Sequence, residues 1–140
     1  GEGEGEGEGE GEGEGEGEGE GEGEGEGEGE FTSTCAADWA DCTDADFNTN
    51  DMTASAGTVA ITMNSMQPYS PKCLTVKVGQ TVTIGASAGH PFKKQCAEDT
   101  VMDSQDLSTS TVTFTFTETG YYNYRCQFHS GMVGNIKVLP

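Results

Sequence analysis

From residue 57 onward, apolar side chains recur at every second position, the spacing that places them on one face of an extended strand. Val59, Ile61 and Met63 form the first row, and Leu74, Val76 and Val78 the second, with Thr75 and Lys77 turned the other way. The Gly79-Gln80 step leads into Val82 and Ile84, which reads as a strand, a tight turn and another strand. Val112, Phe114 and Phe116 alternate with threonines between residues 110 and 117, a β-branched and aromatic composition suited to a pleated, half-buried surface. Past the turn at Thr119 and Gly120, Tyr122, Tyr124 and Cys126 share a face, and Ile136 and Val138 close the chain on a last strand. Short strands separated by turn signals, with no long run of helical periodicity, predict an all-β antiparallel sandwich or barrel. Helix is expected only as a turn within residues 38–46, and residues 98–108 read as a polar connection. The rings of Tyr122 and Tyr124 are expected in the core, with their hydroxyls bonded to loop backbone near a corner.

Composition divides the chain before it describes it. Residues 1–30 are fifteen uninterrupted Gly-Glu dipeptides, which hold fifteen of the twenty-five acidic residues behind the formal charge of −19. With nothing apolar to bury and mutually repelling carboxylates, this segment is expected to be a disordered tether, either an added tag or a natural spacer. Residues 31–56 form an amino-terminal extension expected to be tied down by a disulfide, and residues 57–140 a single folded domain. Outside the repeat, ten acidic residues face six basic ones. No basic cluster suited to nucleic acid stands out, since Lys93-Lys94 is the only adjacent basic pair. No stretch is apolar and long enough to span a bilayer, although a membrane-tethered natural precursor fits the tether reading.

Five cysteines, at 35, 42, 73, 96 and 126, are dense for so short a domain, and the odd total sets one apart. If four pair, in any of three arrangements, the protein matures in an oxidising, extracytoplasmic compartment, whether periplasmic, secreted or at the cell surface. The odd one falls in Cys126-Gln127-Phe128-His129-Ser130-Gly131-Met132, where thiolate, imidazole and thioether recur every three residues in a loop between two predicted strands. A soft anionic sulfur, a borderline nitrogen and a soft neutral sulfur together suit copper that cycles between two oxidation states. The only other imidazole in the chain is His90, on the turn after Val82 and Ile84. The candidate ligand set is therefore His90, Cys126, His129 and Met132. A closed zinc site of Cys96, Cys126, His90 and His129 is the metal alternative, and it leaves Met132 without a role.

The His₂Cys set with a weak methionine resembles the cupredoxins, the type 1 blue-copper electron carriers, over most of residues 57–140. Residues 69–83, Tyr-Ser-Pro-Lys-Cys-Leu-Thr-Val-Lys-Val-Gly-Gln-Thr-Val-Thr, resemble that family's strand, glycine turn and strand before the first histidine. Residues 119–126 resemble its strand into the copper loop, and the two-residue ligand gaps are similar to those of the plastocyanin and amicyanin end of the family. The resemblance implies a Greek-key antiparallel β-sandwich with one copper ion, acting in single-electron transfer rather than as an enzyme. A transient redox partner, such as a cytochrome or a copper enzyme, and a monomeric state are expected with it. Phe92, Phe128, Gly131 and Met132 are the expected contact surface around the edge of His129. Copper storage or delivery without redox cycling is the alternative. One departure is Pro91, which stands where the family usually has an asparagine whose N–H donates to the thiolate. The N–H of Phe128 is expected to replace that donor in part.

Overall fold

The computed structural model describes residues 31–64 and 68–140; the tether expected over residues 1–30 lies outside them. The alternating rows become eight strands: β1 (Val59–Met63), β2 (Tyr69–Ser70), β3 (Cys73–Lys77), β4 (Thr81–Ile84), β5 (Phe92–Cys96), β6 (Val112–Thr115), β7 (Gly120–Cys126) and β8 (Val133–Leu139). They assemble into two four-stranded sheets, ordered β2-β1-β4-β6 and β3-β8-β7-β5. The inward rows of both sheets meet in one core that includes Leu74, Val76, Val82, Ile84, Phe116, Tyr122 and Ile136, all fully buried. Complete burial of an aliphatic or aromatic side chain of this kind contributes about 1.5–3 kcal/mol.

The sandwich has the expected class, with a mixed pairing pattern inside it. Four of the six pairings among the described strands are antiparallel, whereas β1–β4 and β3–β8 are parallel. The chain leaves the first sheet after β2, runs as β3 in the second and returns through the Gly79 turn. It therefore re-enters beside β1 in the direction of β1.

The second sheet is covered on both faces, which the period-two rows alone did not indicate. Thr75, Asn123 and Asn135 point away from the sandwich core yet are buried, because the amino-terminal segment packs over them. That segment carries a 3₁₀ turn at Trp39–Asp41, inside the range where a turn of helix was expected, and α1 (Asp44–Thr49), which runs three residues past that range and starts on a reciprocal Thr43–Asp46 capping box. Phe47 of α1 is buried, and its carbonyl accepts from Thr75 Oγ1 at 2.9 Å. Asn123 Nδ2 donates to Asn135 Oδ1 and to Ala36 O, and Asn135 Nδ2 donates to Ala37 O, so paired amides satisfy each other and the overlying backbone. Disulfides Cys35–Cys96 and Cys42–Cys73 fasten the same segment and settle the pairing that the sequence left open.

Three further differences have physical causes. Val78 ends its row 37% exposed, since β3 stops at Lys77 and the chain turns. Strand β5 was not expected because Phe92 is its only large apolar side chain. Its Lys93-Lys94-Gln95 run and the irregularity between Lys94 and Cys96 are what protects an edge strand from further pairing. Tyr122 behaves as expected, its hydroxyl donating to Glu118 O at 2.7 Å and lying 3.0 Å from Asp99 Oδ2. Tyr124 does not: its ring is buried, but its hydroxyl has no hydrogen-bond partner among the described residues.

Candidate metal centre

The period-two alternation of β7 carries Tyr122, Tyr124 and then Cys126 onto the core face, so the last residue of the strand buries a thiol at one end of the sandwich. The loop that follows is closed by its own backbone: Cys126 N–H donates to Met132 O at 2.8 Å, and Met132 N–H to His129 O at 2.9 Å. On the other side, Ser87 and His90 exchange both backbone hydrogen bonds across Ala88 and Gly89, which holds His90 at the end of a tight turn. The register of β5 against β7 sets Phe92 opposite Cys126, and Gln127 N–H donates to Pro91 O at 3.0 Å. The two loops are thus tied together one residue past Cys126 and one residue past His90.

This scaffold brings three of the four expected residues to one point. His90 Nδ1 lies 3.7 Å from Cys126 Sγ and His129 Nδ1 lies 3.4 Å from it. The three donor atoms fall within 4.8 Å of one another, the one such group of histidine, cysteine or acidic side chains among the described residues. Metal bonds of about 2.0 Å to imidazole nitrogen and about 2.3 Å to thiolate sulfur separate those atoms by roughly 3.4–3.7 Å when the angle at the metal is about 105–120°. The two sulfur–nitrogen spacings match that range, so the thiol and each imidazole stand at the separation that a shared ion requires. Both imidazoles turn Nδ1 inward, which leaves Nε2 on the far edge of each ring. The rings lie 4.7 Å apart and tilted by 32°. Met132, 3% exposed, belongs to the same core cluster as Cys126 and ends the loop.

Cys126 is the one free cysteine among the described residues, the other four being consumed in disulfides. A zinc site that draws on Cys96 is therefore excluded, since that sulfur is bonded to Cys35. The hydrogen bond expected from Phe128 N–H is not found: among the described residues, the polar neighbours of Cys126 Sγ are the two imidazoles. Phe128 instead projects outward, 62% exposed, beside the exposed Gly131 and the half-buried His129. Phe92 and Met132 do not share that surface, for both are buried.

Two residues that the sequence did not mark flank the site. Arg125 donates from Nε to Cys126 O at 3.3 Å and from Nη2 to Gln127 O at 3.4 Å. Tyr69 packs edge-on against Tyr124 at 4.8 Å, and burial, with the charge of Cys126 adding to it, pushes its hydroxyl far above its ordinary pKa of 10.0. A neutral phenol is therefore retained under the site at every ordinary pH.

Comparison with known proteins bears on what this geometry is for. The family model described as copper binding proteins, plastocyanin/azurin family, matches residues 34–139. Chloroplast plastocyanin of Hordeum vulgare is 31% identical over 83 residues, which cover 50% of this chain and 54% of the relative. That of Oryza sativa subsp. indica is 32% identical over 83 residues, with the same coverage. The chain spans about half the length of the curated relatives it matches. Among solved structures, a reduced mutant of amicyanin aligns with a TM-score of 0.44 at 28% identity, covering 60% of this chain and 84% of that one.

Proposed function

Because the chain belongs to the plastocyanin/azurin family of copper binding proteins, we propose that it is a single-electron carrier with one type 1 copper held by His90, Cys126 and His129, with Met132 as a weak fourth ligand. The observation that carries this reading is the convergence of one thiol and two inward-facing imidazole nitrogens at metal-ligand spacing. When bound, copper supplies a one-electron couple between its 2+ and 1+ states. Everything else falls to the chain. Cys126 supplies a thiolate from a site closed to water, since it is fully buried. The Cys126–Met132, His129–Met132 and Pro91–Gln127 backbone bonds hold the donors in place before and after the charge changes, which limits reorganisation.

An electron enters from a donor protein and leaves to an acceptor through the outer edge of His129, with no bond made or broken. Phe128 and Gly131 form the surface a partner covers, in keeping with the small, transient interfaces of redox encounters. A cytochrome or a copper enzyme is the partner class this surface suits. Catalysis by this chain is not part of the reading, because its two histidines are both used by the carrier site. Two disulfides support an oxidising, extracytoplasmic location.

Reversible electron exchange with a small redox protein separates carrier from copper store: a carrier exchanges rapidly at unchanged copper content, and a store does not. Substituting Met132→Leu keeps the volume of the core. It should preserve the thiolate-to-copper absorption while shifting the reduction potential, whereas loss of all copper binding would contradict a weak fourth ligand.

A further inference from the structure

Arg125 holds the last outward-facing position of β7, immediately before the thiol. Across the β5–β7 register it stands directly opposite Lys93, and both are half-buried. Like charges opposed across an antiparallel pair repel, and among the described residues neither forms an ion pair with a carboxylate. The guanidinium turns along its own chain instead, its fork reaching the carbonyls of Cys126 and Gln127. These are the two carbonyls through which the chain leaves β7 and enters the ligand loop. Gln127 is held from the other side as well, its N–H donated to Pro91 O next to His90.

We propose that Arg125 is a positioning residue that clamps the start of the ligand loop and sets a permanent positive charge beside Cys126, biasing the site toward its reduced state. The second half rests on the copper reading above; the clamp does not. The planar fork of arginine can hold two carbonyls at once, which a lysine ammonium on a flexible stem does not reproduce. Uptake of one electron lowers the charge of the site by one. A fixed cation held against the Cys126 carbonyl therefore stabilises the reduced form more than the oxidised form, and hydrogen bonds around a metal ligand tune it as well.

The test compares Arg125→Gln and Arg125→Lys with the unsubstituted protein in two measurements. In the metal-free proteins, hydrogen exchange of the Gln127 and Met132 amides is expected to rise roughly three- to tenfold in both variants, as two weak tethers are lost. In the copper-loaded proteins, the reduction potential is expected to fall in Arg125→Gln and to stay closer to the original in Arg125→Lys, which keeps the charge without the fork. Unchanged exchange in both variants overturns the clamp, and an unchanged potential in Arg125→Gln overturns the charge bias. If the unsubstituted protein shows no thiolate-to-copper absorption, the copper reading and the charge bias fall together. Exchange in the metal-free proteins then still decides the clamp by itself.

Discussion

Cys126 owes its place to two constraints that meet at one residue: strand parity turns it into the core, and the end of β7 leaves it beside the two loops that carry imidazoles. The first constraint was legible in the sequence from the Tyr122, Tyr124, Cys126 row, and the second from the three-residue recurrence of Cys126, His129 and Met132. His90 was marked only as the one remaining imidazole, and the Pro91–Gln127 bond supplies the reason it lies where it does. Arg125 gave no signal, because its role depends on a backbone path that composition does not record. The need for a residue without a side chain at Gly134 was likewise invisible. A Cβ there would collide with the Tyr124 ring, which lies across its β8 partner two residues before the thiol. Gly134→Ala should therefore cost about 1–3 kcal/mol, as overpacked cores do, read as a lower denaturant midpoint with unchanged slope. Tyr122→Phe, which strips the bonds to Glu118 O and Asp99, should cost about 1 kcal/mol by the same measurement.

At the scale of elements, strands carrying an apolar row were readable, whereas the cover over the outer face of the second sheet and the polar strand β5 were not. β1, with Val59 and Ile61 in and Ala60 and Thr62 out, alternates cleanly. β3 is buried through four successive residues because α1 lies over it, and β5 is polar because it is an edge. The amino-terminal segment escaped the periodicity altogether, since what holds it is not an apolar stripe. Glu98 holds it by accepting from Ser33 Oγ and from the N–H groups of Thr34 and Cys35, and Asp99 beside it accepts from Thr117 and Tyr122. Burial raises both pKa values, but these hydrogen bonds, with that from Val101 N–H to Asp99 the largest contribution there, outweigh it, and both carboxyls titrate below their ordinary 4.5 and 3.8. The unfolded chain thus takes up these protons first as the pH drops. The stabilisation is complete above about pH 5 and is lost as the pH falls through the lowered folded values. In Glu98→Gln, the loss of stability between pH 6 and pH 3 should be shallower than in the unsubstituted protein, as followed by thermal midpoints. The Cys35–Cys96 disulfide closes 61 residues, and replacing both cysteines with serine should cost about 2–4 kcal/mol.

Across the whole molecule, the two disulfides, the paired asparagines and the Glu98 contacts all act on the outer face or the far end of the second sheet. The metal-binding end is built from loops tied by backbone hydrogen bonds. This division predicts that losing the Cys35–Cys96 link lowers stability while leaving the metal-site absorption intact. An electron carrier of this kind needs Cys126 as the anionic ligand of a single copper, and titration with Cu(II) followed by visible absorption examines that directly. An intense thiolate-to-copper band that saturates at one copper per chain, and disappears in Cys126→Ser, is the expected result. Copper binding with no such band, or a band that survives Cys126→Ser, would contradict it.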